Sequence, residues 1–201
     1  METQKVITLA FAVLLLNTLQ AQSIIENRKG CINSQGNLAA GYLFAQKQVG
    51  AYFVGEAELF VDNRVSIAGA TWLSFATTQK TKPGLRANHS ILWGFNYHFL
   101  KKGRWDPYIG FTPGLGIVRT QYLNDEGVLT RSSFAPVPLV SASLGCNFYI
   151  GSIFHFFAKV QGVSGQMLKD VPAPVRLEEI KCTVGLGWNL RLWKPKTNSN
   201  I

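Results

Sequence analysis

Residues 179–193 leave few folds open: they read E-I-K-C-T-V-G-L-G-W-N-L-R-L-W, apolar at every second position. Ile180, Cys182, Val184, Leu186, Trp188, Leu190 and Leu192 share one parity, while Glu179, Lys181, Thr183, Gly185, Gly187, Asn189 and Arg191 share the other. Successive side chains of a β-strand point to opposite faces, so one face of this strand is wholly apolar and the other charged, polar or bare. Two architectures accept such a strand. A soluble sheet packs the apolar side on a core, whereas a membrane barrel turns it to lipid and encloses the polar side.

The alternation recurs along the chain. Strand-like runs at 37–46, 50–61, 65–76, 89–100, 106–120, 133–149 and 153–163 precede the last one, with turn signals between them and no helical periodicity of useful length. In the second run Phe53, Ala57, Leu59 and Val61 oppose Tyr52, Glu56 and Glu58; in the fourth, Ile91, Trp93, Phe95, Tyr97 and Phe99 oppose Ser90, Gly94, Asn96 and His98. Pro113 predicts a bend in the fifth, because proline cannot donate to a ladder. The connections at 62–64, 101–104 and 150–152 read as short, and those at 77–88, 121–132 and 164–174 as long. Up-and-down transmembrane barrels show that asymmetry, and runs of this length, tilted about 45°, cross an apolar band of about 25 Å.

The non-apolar parity is rich in Gly, Ala and Ser and poor in charge, a weak solvent face but a suitable lining for a narrow lumen. Only 15% of the chain is charged, against about 25% in ordinary soluble domains. The predicted class is therefore all-β, an eight-stranded antiparallel up-and-down transmembrane β-barrel. A secreted soluble β-barrel lipid carrier is the competing architecture, and it would hold Trp93, Phe95, Leu186 and Trp188 in its middle.

The formal charge of +9 suggests an anionic partner. The basic residues are scattered over turns and loops rather than gathered in a stripe, which argues for an anionic lipid surface and against nucleic acid. Lys5 followed by the apolar run 6–16 and small Ala21 predicts a secretory signal peptide, too short to span a bilayer. The expected organisation is a signal peptide at 1–22, a leader at 23–35, the barrel at 36–193 and a tail at 194–201. Of the three cysteines, Cys146 and Cys182 fall on apolar parities as small hydrophobes. Cys31 follows Arg28-Lys29-Gly30, which is no lipoprotein processing site, and no cysteine has metal-ligand spacing.

In the last strand Thr183, Gly185, Trp188 and Leu190 follow a pattern of a polar residue, a glycine two positions on, and spaced aromatic or apolar residues. With the topology above, this resembles the small eight-stranded outer-membrane β-barrel family, the OmpA/OmpX-like group, over residues 37–193. The resemblance implies residence in the outer membrane of a Gram-negative-type envelope and recognition of those four residues by the barrel-assembly machinery. This chain departs from the pattern by continuing through Trp193 into 194–201 rather than stopping on an aromatic residue.

Glu56, Glu58, Lys159, Glu179, Lys181 and Arg191 share the inward parity. Charges of both signs in one lumen predict an ion-pair network that plugs the barrel, since unpaired buried charge is costly; a narrow pore is the alternative. His98 and His155 also point inward without a third ligand, so no metal and no cofactor are expected. His89 and Ser90, with Ser132, Ser133, Asp125 and Glu126 on another loop, would be the parts of a rim catalytic site acting on lipid or peptide, if His89 came within about 3 Å of a serine oxygen and an acid. Lys80, Lys82 and Arg86 form a basic loop suited to lipopolysaccharide phosphates. The favoured role is non-catalytic, in envelope structure or surface interaction, with outer-membrane lipids, the assembly machinery and an unidentified membrane protein as partners.

Overall fold

The computed structural model describes residues 27–78, 83–168 and 175–192. The signal peptide, Lys80, Lys82, Trp193 and the 194–201 tail lie outside the described residues. The strands are β1 (Cys31–Leu43), β2 (Gln48–Phe60), β3 (Val65–Thr77), β4 (Gly84–His98), β5 (Trp105–Phe111), β6 (Gly114–Leu123), β7 (Leu129–Arg131), β8 (Ala135–Ile150), β9 (Phe154–Gln166) and β10 (Arg176–Arg191). Every pairing is antiparallel, and the ring closes through β1–β10 and β3–β4. β5 and β6 are halves of one interrupted strand between β4 and β8, and β7 is a short arm on β6, so the wall has eight staves.

The interruption falls at Thr112–Pro113, where the bend was expected. Pro113 has no N–H to give, but its carbonyl accepts Trp93 N at 2.9 Å, and Thr112 and Ser141 exchange backbone bonds of 2.9 and 3.1 Å. Two glycines admit the displaced backbone. A Cβ on Gly94 would lie 2.0 Å from the Phe111 carbonyl oxygen, and one on Gly114 would lie 2.2 Å from that of Ile91. Gly94→Ala should therefore cost about 1–3 kcal/mol, read as a lower urea midpoint of the micelle-bound barrel; an unchanged midpoint would show that the wall yields there.

The parities fall as the sequence predicts. Trp93, Phe95, Leu186 and Trp188 are 52%, 53%, 40% and 45% exposed on the outer wall, which removes the soluble carrier. Leu38, Leu144 and Val184 also project outward, whereas Trp72, Tyr52, Phe60, His98 and Lys181 are buried inside. Each such aliphatic or aromatic group stands to gain roughly 1.5–3 kcal/mol on leaving water. A surface made of them belongs in hydrocarbon. At the edge near the 61–64, 99–104 and 151–153 turns, Tyr97 and Phe99 pack edge to face at 5.8 Å and Trp105 lies 4.7 Å from Phe148, an interfacial aromatic girdle.

Three boundaries differ from expectation. β1 begins at Cys31, inside the expected leader: Asn33 and Gln35 are buried in the lumen while Cys31 pairs with Arg191 and Ile32 with Leu59. A strand whose inner face is amide does not read as apolar alternation. β4 begins at Gly84, paired with Gln121, so Arg86 belongs to the wall and not to the expected 77–88 loop. β6 runs to Leu123 and returns through β7, absorbing much of the expected 121–132 loop. The two ends consequently differ less in connection length than the sequence suggests.

Candidate functional site: a sealed lumen

The interior has three tiers. At the short-turn end, Asp106 of β5 collects partners from across the barrel. Arg28 Nη1 donates to Asp106 Oδ1 at 2.6 Å and to Leu100 O at 2.9 Å. Tyr149 donates its hydroxyl to Asp106 Oδ2 at 2.9 Å, and Asn147 its amide at 3.3 Å. His98, at the end of β4, sets Nδ1 2.9 Å from Asp106 Oδ1 and Nε2 2.8 Å from Glu58 Oε1. A carboxylate stands at each ring nitrogen, an arrangement that suits a ring donating from both. Glu58 also accepts the Asn96 amide at 2.8 Å and the Ser66 hydroxyl. The result is a row of alternating sign, Arg28, Asp106, His98, Glu58, with each member almost wholly buried.

The middle tier is aromatic and ionic. Lys159 pairs with Glu56 on the opposite wall and lies 5.5 Å over the Trp72 ring. Lys181 Nζ sits 4.4 Å from the Trp72 ring centre, 4.6 Å from that of Tyr52, and 3.5 Å from Glu179 Oε2. Glu179 also accepts the Tyr52 hydroxyl, and the Asn88 amide at 3.1 Å. Cation–π contact and a carboxylate together make these buried ammonium groups tolerable. Below this tier a cavity of about 30 Å³ lies among Gln35, Glu56, Glu58, Asn96, Lys159 and Gln161, no larger than one or two waters require.

The loop-end tier is hydrocarbon: Leu43, Leu85, Leu92, Val118, Val137, Leu139, Val163 and Leu177 form one core cluster with Met167. Apolar packing thus joins the polar filling at the loop end, where Gln48, Thr77, Thr120 and Gln121 are also buried. A dish of about 110 Å³ at the short-turn mouth is bounded by Arg28, Phe60, Tyr149, Ser152 and Arg191. Of the charged row, Arg28 lines it.

Five of the six inward charges expected from sequence, Glu56, Glu58, Lys159, Glu179 and Lys181, are in the lumen. Arg191 is not. It is exposed at the end of β10 and donates to Asn27 O at 2.8 Å, because its position lies beyond the rim that encloses the others. Sequence reasoning missed Arg28 and Asp106 as network members. Asp106 shares its parity with Tyr108 and Gly110, a legible signal; Arg28 enters ahead of β1, where no periodicity could find it.

Thr183 is buried inside and Gly185 shares its parity, while Trp188 and Leu190 face outward. Arg86 is half-buried on β4. His89 points away from the lumen towards Phe134, with ring centres 6.4 Å apart, and its Nδ1 has no partner. No hydrogen bond joins it to a serine or an acid among the described residues, so the rim triad is not assembled. His155 is buried, with Nδ1 2.6 Å from Asn189 Oδ1, and no metal-holding group of His, Cys, Asp or Glu occurs among the described residues.

A closed antiparallel wall, greasy outside and ionic inside, defines a small transmembrane β-barrel, and the fold is that of the eight-stranded outer-membrane barrels. Solved structures of this fold include Neisserial surface protein A, at 12% identity over 81% of this chain and 96% of that one, with a TM-score of 0.57. The outer membrane protein OprG of Pseudomonas aeruginosa matches at 10% identity over 83% and 99%, with a TM-score of 0.55. Ail, the attachment invasion locus protein of Yersinia pestis, solved with the heparin analogue sucrose octasulfate, matches at 10% over 81% and 99%, with a TM-score of 0.54. No protein-family model matches the sequence, and no curated protein does.

Proposed function

We propose that the chain is an integral outer-membrane protein of a Gram-negative-type envelope, with a non-catalytic role in envelope structure or surface interaction. The observation that carries this is the sealed lumen: an ionic row, a Trp72–Lys181–Tyr52 stack and an aliphatic cap follow one another along the axis. Such an interior fixes the wall and leaves its outer faces to interact. The signal peptide supplies the export route, and Thr183, Gly185, Trp188 and Leu190 supply the assembly signal. Lys80, Lys82 and Arg86 are assigned to contact with anionic lipid, lipopolysaccharide among them. A surface-binding role is in keeping with the sulfated ligand in the Ail structure.

Purified protein in planar bilayers should show no steady unitary conductance. A reproducible open level would replace the sealed-barrel reading with the narrow pore.

A further inference from the structure

Outward-facing positions on the strands are almost all apolar, and Arg119 on β6 is an exception. Its pairing places it in the wall: Ile91 opposes Leu115, His89 opposes Ile117, and Ala87 opposes Arg119. Ile91, Leu115 and Ile117 are 58%, 53% and 52% exposed on the apolar belt. Arg119 follows Ile117 on the same parity, about 7 Å further towards the loop end at the usual strand rise. It therefore stands where the hydrocarbon band gives way to headgroups.

Its guanidinium carbon lies over the exposed Phe134 ring, 4.0 Å from the centroid, and His89 flanks the same ring. Among the described residues no acid pairs with it, and its buried Nε has no partner. By contrast Arg176, also at the loop end, is answered by Glu178 at 2.7 Å. A cation at the edge of hydrocarbon needs an anion or water to meet its remaining donors. The guanidinium is a planar fork, and its Nη1–H and Nη2–H groups suit two oxygens of a phosphate.

We propose that Arg119, held on Phe134 beside His89, binds the phosphate monoester of an anionic lipid in the leaflet at the loop end. The site rests on the reading of this chain as a membrane barrel. It adds to the 80–86 segment a defined seat on the opposite strand of the β4–β6 pair, one built from a planar cation and a ring rather than from net charge.

The test is native mass spectrometry of the barrel released from phosphatidylcholine vesicles containing a minor fraction of phosphatidic acid. Wild type should retain phosphatidic acid, and Arg119→Gln should retain about tenfold less. Arg119→Lys, which keeps the charge and loses the planar fork, should fall with it. Phe134→Leu should lower retention about threefold, and Arg131→Gln, at the same end without a ring beneath it, should leave it unchanged. Equal retention by wild type and Arg119→Gln, both inserted as judged by heat-modifiable migration, would overturn the site. Displacement by millimolar inorganic phosphate would overturn its assignment to lipid. Failure of wild type to insert in phosphatidylcholine would overturn the barrel reading and the site with it.

Discussion

Asp106→Ala should lower the stability of the inserted barrel by about 3–5 kcal/mol, the range for removing one partner of a buried ion pair. Asp106 answers two cations at once, Arg28 at 2.6 Å and His98 at 2.9 Å, and accepts the Tyr149 hydroxyl. Without it, two positive charges face each other in a closed space with only Glu58 left to balance them. Asp106→Asn should be nearly as costly, because the amide keeps the shape and loses the charge. Urea unfolding of vesicle-inserted protein measures both, with Lys29→Ala, an exposed neighbour of Arg28, as the silent control. A loss below about 1 kcal/mol, the level of exposed ion pairs, would show that the row is hydrated and not buried.

Val184→Arg should have a comparable effect for the opposite reason. Val184 is 71% exposed in the middle of β10, on the outer parity. In a soluble protein such a surface substitution changes stability by no more than about 0.5 kcal/mol. With hydrocarbon outside, an arginine near the midplane costs about 2–4 kcal/mol. Urea unfolding in vesicles, compared with the same substitution at Leu190 near the short-turn rim, separates the two. A depth-independent, near-zero effect would mean that water bathes the wall.

How much of this was legible in the sequence follows from what strands encode. Period-two alternation is local, so the orientation of Trp93, Phe95, Leu186 and Trp188 could be read directly, and with it the closed, greasy-out wall. Pro113 announced its own break. Alternation fails where both parities are polar, as at Asn33 and Gln35 beside Ser34 and Gly36, and there β1 went unread. The interior was half legible for the same reason. Parity says that Glu56 and Lys159 face inward, but only the closed ring says that they meet, and it also recruits Arg28 from outside any strand. The loop-end cap was hidden because its inward residues are as apolar as their outward neighbours. Val137 and Leu139 alternate with Pro136, Pro138 and Val140, and the pattern dissolves.

One consequence of the interior concerns how such a chain reaches its final state. Its decisive contacts join staves that are not neighbours: Glu56 on β2 to Lys159 on β9, 103 residues away, and Tyr52 on β2 to Glu179 on β10, 127 residues away. A hairpin that enters the bilayer alone can satisfy its backbone but must carry a solitary charge with it. Those two contacts therefore wait for the seam of β1 against β10, which brings β2 round to the C-terminal staves. Intermediates that lack this seam carry Glu56 and Lys159 unpaired, and contacts so distant in sequence slow assembly.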